Sequence, residues 1–364
     1  MGLKDWEPRK IGSLRRRLLS WYAGNKRDLP WRKSRDPYAI WVSEIMLQQT
    51  RVAVVVERYR TFLERFPSLV SLALASEDDV LALWSGLGYY RRARLLLKAA
   101  QFVAGQHRGS LPATAAELRT LPGIGAYTAA AISSIAHGEA VPVVDGNVER
   151  VLCRLEGWEG GGSKITGDLK RKIDATAERL LDRGRAGDFN QAMMELGAVV
   201  CVPRSPRCEM CPLARFCKTR GEHKTSPRAP MLSREVAHAL VLRIRNHARL
   251  ERGLASREVL LERRSAEQTV MPGLWELPAL LEAAVPEPEL HMTLRHAIMK
   301  VNYYVRIRDV VADDLERLTV CGGERRWVAL EDAPDLALTG LTRKVLQRAR
   351  PTRTSRGRED AGES

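Results

Sequence analysis

A chain of 364 residues exceeds what one hydrophobic core usually organises, so two domains, or three small ones, are expected. Hydrophobic residues make up 45% of it, enough for most of the chain to fold, and 59 Lys plus Arg against 44 Asp plus Glu leave a formal charge of +15, which favours a polyanionic partner such as nucleic acid. No apolar run reaches the roughly 20 residues of a membrane helix, and Met1 to Lys10 lacks the apolar core and cleavage site of a signal peptide, so a cytoplasmic protein without disulfides or a membrane partner is expected.

From Ile11 to about Cys217 apolar residues recur at three- and four-residue spacing, with Gly or Pro at the joints. The pattern predicts helices over 11–24, 37–65, 77–84, 92–106, 114–121, 126–137, 147–156, 168–182 and 189–200. Thr114 and Glu117 have the spacing of a capping box. Residues 218–234 are polar, basic and proline-containing, and read as a linker. Beyond them Val236, His238, Leu240, Leu242 and Ile244 alternate as in a half-buried strand. Further strands are predicted over 258–263, 301–311 and 326–330, with a closing helix over 341–348. Residues 235–350 thus form a smaller α+β domain after an all-α region spanning 1–217. The charged tail 351–364 is expected to be disordered.

Four cysteines fall within 17 residues, as Cys201, Cys208, Cys211 and Cys217. Such crowding in a Pro-containing loop suits a four-sulfur metal site, either tetrahedral zinc or a [4Fe-4S] cluster. A single C-x2-C knuckle flanked by lone cysteines favours the cluster. Cys153 and Cys321 read as ordinary thiols. Arg204, Arg207, Arg215 and Lys218 surround the cysteines and could meet phosphate. Leu121-Pro122-Gly123-Ile124-Gly125 joins two helices, and its glycines allow a tight turn whose backbone N–H groups can hold a DNA phosphate. About 20 residues later Asp145 stands just before a helix, where a carboxylate commonly serves as a cap.

The order of hairpin, aspartate and C-x6-C-x2-C-x5-C resembles the iron-sulfur branch of the helix-hairpin-helix DNA glycosylase superfamily over residues 11–217. Trp41 to Thr50 (WVSEIMLQQT) is similar to the motif of the MutY family of A/G-mismatch adenine glycosylases. Leu29 to Arg32, Trp84 to Arg94 and Phe189 to Gly197 are similar to the same family. Glu262 to Arg264 followed by Met271 to Pro278 resembles its C-terminal Nudix-like domain, which senses the opposite base. Leu280 to Pro286 lacks the Glu-rich helix that diphosphate hydrolysis needs.

The resemblance implies an enzyme of base excision repair that hydrolyses the N-glycosidic bond of adenine mispaired with 8-oxoguanine or guanine in double-stranded DNA. It implies a [4Fe-4S] cofactor on the four cysteines and a protein acting as a monomer. Tyr127 stands where bifunctional relatives carry a Schiff-base lysine, so strand cleavage is not expected. Glu44 is implied as general acid and Asp145 as stabiliser or nucleophile, with Tyr127 and Asn147 orienting Asp145. The apolar surroundings of Glu44 would hold its proton near neutral pH. Arg27, Leu29, Trp31, Arg32 and Gln191 would shape the adenine pocket. Gln49, Thr50, Leu87 and Tyr89 would enter the gap left by the flipped base, while Gly123 and Gly125 would hold phosphate. Opposite-base contacts fall on Ile298 and Met299, in a stretch, His296-Ala297-Ile298-Met299-Lys300, that departs from the family's usual Phe-Ser-His.

Overall fold

The computed structural model describes residues 6–159, 167–223, 230–245, 256–281, 285–312, 314, 315, 318 and 323–349. The tail 351–364 and Cys321 lie outside them. The chain divides into two compact units, one formed from 1–75 with 91–228 and the other from 76–90 with 229–364.

The first unit is helical, with α1 (Pro8–Asn25), α2 (Pro37–Leu47), α3 (Val52–Arg65) and α4 (Leu69–Ala73) followed by α6 (Arg91–Gln106), α7 (Ala115–Leu118), α8 (Ala126–Ala136), α9 (Gly146–Glu156), α10 (Gly167–Leu180) and α11 (Ala186–Val199). The helix expected over 37–65 is two helices, broken at 48–51, where Gln49 takes a left-handed φ of 56°. A cation stabilises the break: Arg92 Nη1 donates to the carbonyls of Ile45 (2.6 Å), Met46 (3.1 Å) and Gln48 (2.6 Å), groups that the end of α2 leaves without helical partners. The segment predicted over 114–121 shortens to the single turn of α7. Thr114 accepts from the Glu117 N–H, but its hydroxyl also donates to the Glu117 carboxylate at 2.7 Å, so the reciprocal bond of a capping box does not form.

Helices α1, α9, α10 and α11 bury a common core that includes Leu14, Leu18, Leu152, Ile173, Phe189 and Leu196. Gly197 lets α9 and α11 approach closely, because a Cβ there would lie 2.6 Å from Asn147 Cβ. The turn between α7 and α8 depends on Gly123, which has φ 75° and would place a Cβ 2.7 Å from Leu95 Cβ. Gly125 is the exposed, extended N-cap residue of α8 and leaves the first turn of that helix without a side-chain cap.

The second unit is a mixed α+β domain. Its strands are β1 (Leu232–Arg245), β2 (Ser256–Arg263), β3 (Trp275–Glu276), β4 (Leu290–Ile298), β5 (Val301–Val310) and β6 (Arg325–Ala329), closed by α12 (Gly340–Ala349). The sheet order is β3-β2-β1-β5-β4, with β6 also on β2. One face packs Leu240, Val259, Val305 and Ile307 on Leu341 and Val345 of α12, and the other gathers Ala239, Val241, Leu260 and Val310. Strand β1 starts inside the expected linker because Leu232 to Arg234 pair in parallel with Val301 to Tyr303 of β5. Strand β4 was not expected, and forms a hairpin with β5 through the two-residue turn Met299-Lys300.

Helix α5 (Glu77–Trp84), read from sequence as part of the helical region, clusters with this second unit. Ser85 Oγ and Tyr90 Oη both donate to the Leu338 carbonyl, at 3.2 and 3.3 Å, and Arg343 Nε donates to Ser85 Oγ at 2.9 Å. No helix among the described residues is long and apolar enough to cross a membrane.

Candidate active site

A cavity of about 600 Å³ opens in the first unit, lined by residues from α2, the break that follows it, α8, α9 and α11. Asp36 caps α2 by accepting from the N–H groups of Tyr38 and Ala39, and every residue from Tyr38 to Met46 is buried. The helix therefore carries Glu44 into the protein, where the residue is 6% exposed. Tyr127 of α8 donates to Glu44 Oε2 at 2.6 Å. Burial pushes the Glu44 pKa up to about 7; the Tyr127 hydrogen bond opposes the shift, nearby Asp145 adds to it and Arg32 opposes it. Burial and then the Glu44 charge hold the Tyr127 phenol well above its ordinary range, so it remains a donor.

Asp145 is indeed the N-cap of α9: Oδ1 accepts from the Val148 N–H at 2.7 Å. It also lines the cavity, with Oδ2 accepting from Asn147 Nδ2 at 2.8 Å. The cap and the cavity carboxylate are one group. Arg150 steadies Asn147 in turn, its Nη2 donating to Asn147 Oδ1 (2.9 Å) and the Gly197 carbonyl (2.8 Å) while its Nε reaches the Cys201 carbonyl (2.8 Å).

Arg27, Leu29, Trp31, Arg32, Gln49, Thr50 and Gln191 line the same cavity. Gln191 accepts from Tyr22 Oη at 3.3 Å, and Thr50 Oγ1 accepts from Arg92 Nη2 at 3.1 Å. Leu87 and Tyr89 belong to the second unit, as do Ile298 and Met299. Leu87 is buried, whereas Tyr89 is exposed with φ 49°. Ile298 is half-buried at the end of β4, and Met299 is 73% exposed at the hairpin tip with φ 54°.

Sequence reasoning assigned no role to Glu195, yet it organises one wall. Its fully buried carboxylate accepts from Arg27 Nε (2.8 Å) and Nη2 (2.7 Å), from the Arg27 backbone N–H (3.0 Å) and from Arg32 Nη2 (2.8 Å). Burial alone would raise this carboxyl, but the arginine donors outweigh it and hold the pKa down to about 2. The available signal was spacing, because Glu195 lies four residues after Gln191 on the same helical face.

The four clustered cysteines line one small cavity together with Arg154. Arg154 is buried and donates to the carbonyls of Val202 (2.7 Å) and Pro203 (2.8 Å), with Nη1 3.4 Å from Cys201 Sγ. Its Nε is buried without a hydrogen-bond partner. Burial pushes the Cys211 thiol up to about 11 and raises Cys208, with neighbouring thiols adding to both. Replacing these protons by a metal cluster, beside a buried guanidinium as counter-charge, fits the donor set. Among the described residues no three His, Cys, Asp or Glu side chains are disposed to share one metal ion. Of the four cations expected to meet phosphate here, Lys218 pairs with buried Glu156 at 2.9 Å and Arg215 lies over Phe216 and donates to Ser13. Arg204 and Arg207 are exposed. Cys153 is a buried core thiol.

Residues 42–180 match the HhH-GPD superfamily of base excision DNA repair proteins, and residues 201–217 match the iron-sulfur binding domain of endonuclease III. The adenine DNA glycosylase of Homo sapiens is 47% identical over 220 residues, covering 58% of this chain and 40% of that protein. The Arabidopsis thaliana adenine DNA glycosylase is 39% identical over 310 residues, covering 74% of this chain and 47% of that one. The chain thus carries an HhH-GPD domain, and the curated relatives that it resembles are adenine DNA glycosylases. It spans about half the length of these curated relatives. A solved thermostable thymine-DNA glycosylase superposes with a TM-score of 0.53 at 29% identity, covering 58% of this chain and 97% of that one. An iron-sulfur binding loop of the endonuclease III type, whose four cysteines suit a [4Fe-4S] cluster, accordingly completes the first unit.

Proposed function

We propose that this protein removes adenine from duplex DNA by hydrolysing its N-glycosidic bond, acting in base excision repair on adenine opposite 8-oxoguanine or guanine. The observation that carries the reading is the pair of carboxyls on one cavity. Glu44 has a pKa near 7 and can hold a proton at neutral pH, while both oxygens of Asp145 are fixed by donors. Adenine leaves poorly as an anion, so Glu44 would deliver a proton to a ring nitrogen as the bond to the sugar breaks. Asp145 would face the developing oxocarbenium charge, the same division of labour as in glycosidases. Tyr127 orients the acid and Asn147 the carboxylate. Arg27 and Arg32, locked on Glu195, would form the wall against which the flipped base rests. When bound, the [4Fe-4S] cluster on Cys201, Cys208, Cys211 and Cys217 would supply structural cross-linking of an otherwise irregular loop.

Tyr127 cannot form an imine with the sugar, so the strand would remain intact after base loss. The second unit would act as a Nudix-like opposite-base sensor, with the Met299 turn facing the partner of the excised adenine. Met299 lacks the hydroxyl that the family's usual loop offers. A lost neutral hydrogen bond is worth about 0.5–1.5 kcal/mol, so preference for 8-oxoguanine over guanine would weaken by roughly threefold to tenfold. One assay tests all of this: single-turnover incubation with duplexes carrying A, T or U opposite guanine or 8-oxoguanine, read with and without alkali. Alkali-dependent breaks at adenine opposite both guanines are the expected result. Dominant release of T or U would instead favour the thymine-glycosylase reading that the structural likeness over 58% of the chain suggests. Breaks without alkali would overturn the monofunctional assignment.

A further inference from the structure

The second unit carries a groove that neither the excision chemistry nor the Met299 turn uses. It runs between β4, an edge strand of the sheet, and α12, and encloses about 430 Å³. Its lining is Thr293, Leu294, Arg295, Lys344, Gln347 and Arg348, with no Asp or Glu. The elements explain the convergence of three cations. Thr293 and Arg295 are successive outward residues of β4. Lys344 and Arg348 lie one turn apart on α12, whose other face is buried through Leu341, Val345 and Leu346.

Two of the cations are held in place. Lys344 Nζ donates to His296 Nδ1 at 3.3 Å, which keeps the ammonium against the strand, and Arg295 lies 5.8 Å over the Tyr304 ring. Gathering like charges in one groove is unfavourable unless an anion offsets them. Cations, a carboxamide and a hydroxyl around one groove match the oxygens of a phosphate.

We infer that this groove holds backbone phosphate of the DNA strand carrying the base opposite the excised adenine, an assignment that rests on the proposed function. The strand itself supplies the argument for this source. β4 runs from the groove to the Met299 turn, and Met299 is the fourth residue after Arg295. At roughly 3.3 Å per residue that is about 13 Å, close to the rise of four nucleotides. A chain of phosphates leading away from a base at the turn would therefore pass the groove.

The test uses the full-length cluster-loaded protein and a triple variant, Arg295→Gln with Lys344→Gln and Arg348→Gln. Binding is measured against salt on a duplex with a non-cleavable adenine analogue opposite 8-oxoguanine and on a fully paired duplex. Each lost phosphate contact lowers the slope of log affinity against log salt by about 0.9, so with one or two phosphates in the groove a fall of roughly one to two is expected on both duplexes, with affinity down on the order of tenfold. A methylphosphonate scan of the strand opposite the adenine requires no substitution to fold. Wild type is expected to lose affinity at one or two positions about three to five nucleotides from the opposite base, and the triple variant to be indifferent there. Unchanged slopes, or a scan identical in the two proteins, would overturn the inference. If the variant instead loses inorganic phosphate or ADP binding while its duplex slope is unchanged, the groove serves free phosphate compounds and the DNA assignment is wrong. Failure of the wild type to excise adenine would count against the proposed function alone, because the slope and the scan do not depend on excision.

Discussion

Glu44, the proposed general acid, is a buried carboxyl whose protonation also bears on stability. The folded protein holds its proton up to about pH 7, whereas an exposed glutamate releases it near 4.5. The unfolded chain therefore binds fewer protons between those values, so the stabilising contribution is greatest at acid pH and is lost as pH rises from 4.5 to 7. The loss amounts to about 3 kcal/mol at most, from roughly 1.4 kcal/mol per pH unit. Glu44→Gln is neutral at every pH and keeps an acceptor for Tyr127. Its melting temperature is expected to match wild type near pH 5 and exceed it at pH 8, while single-turnover excision falls by roughly 10²-fold or more. An equal melting difference at both pH values would show that the carboxyl is not held neutral by the fold. Glu195 shows the opposite solution to burying a carboxylate, since arginine donors keep it charged. Its role could not be read from the sequence because Arg27 and Arg32 precede it by 168 and 163 residues.

At the scale of elements, the close approach of α9 and α11 is what brings Asp145 and Asn147 to a cavity partly lined by Gln191 and Glu195. Gly197→Ala would set a methyl 2.6 Å from Asn147 Cβ and 3.0 Å from its carbonyl oxygen, distances that only separation of the helices can relieve. Overpacking of this kind costs about 1–3 kcal/mol. The variant is expected to unfold at lower denaturant and to excise more slowly at saturating protein, since Asn147 holds Asp145. Wild-type rate and midpoint would mean that the two helices slide without cost. Periodicity revealed nearly all of the long helices, because a buried stripe repeats whatever its partners are. It missed the break after Leu47, where Gln49 rather than Gly or Pro takes the left-handed conformation and a distant residue, Arg92, supplies the cap. It also missed β4, whose inward residues are only half-buried because the strand lies at an edge of the sheet. The capping of α9 by Asp145 was legible, since a carboxylate just before a helix commonly serves as its cap.

For the whole molecule, the two units differ in what holds them. The cysteine loop is irregular and joins the first unit through the bonds of Arg150 and Arg154 to the carbonyls of residues 201–203. Loss of iron through Cys211→Ser is therefore expected to reduce hydrogen-exchange protection in α9 and α11, while β1, β2 and β5 stay protected. Unchanged protection in α9, or equal loss in β1, would contradict this. The composition and the motif order pointed to two domains, but not to their interleaving. Residues 76–90 group with the second unit through bonds to Leu338 that are invisible to local pattern.

Those bonds set a timetable for synthesis. Ser85 and Tyr90 leave the ribosome 253 and 248 residues ahead of Leu338, the acceptor of both. At roughly 5–20 residues per second, that interval lasts about 12–50 seconds. For that time the nascent chain holds a helix whose permanent neighbours do not yet exist, and a premature stop codon anywhere before Leu338 would make the wait permanent.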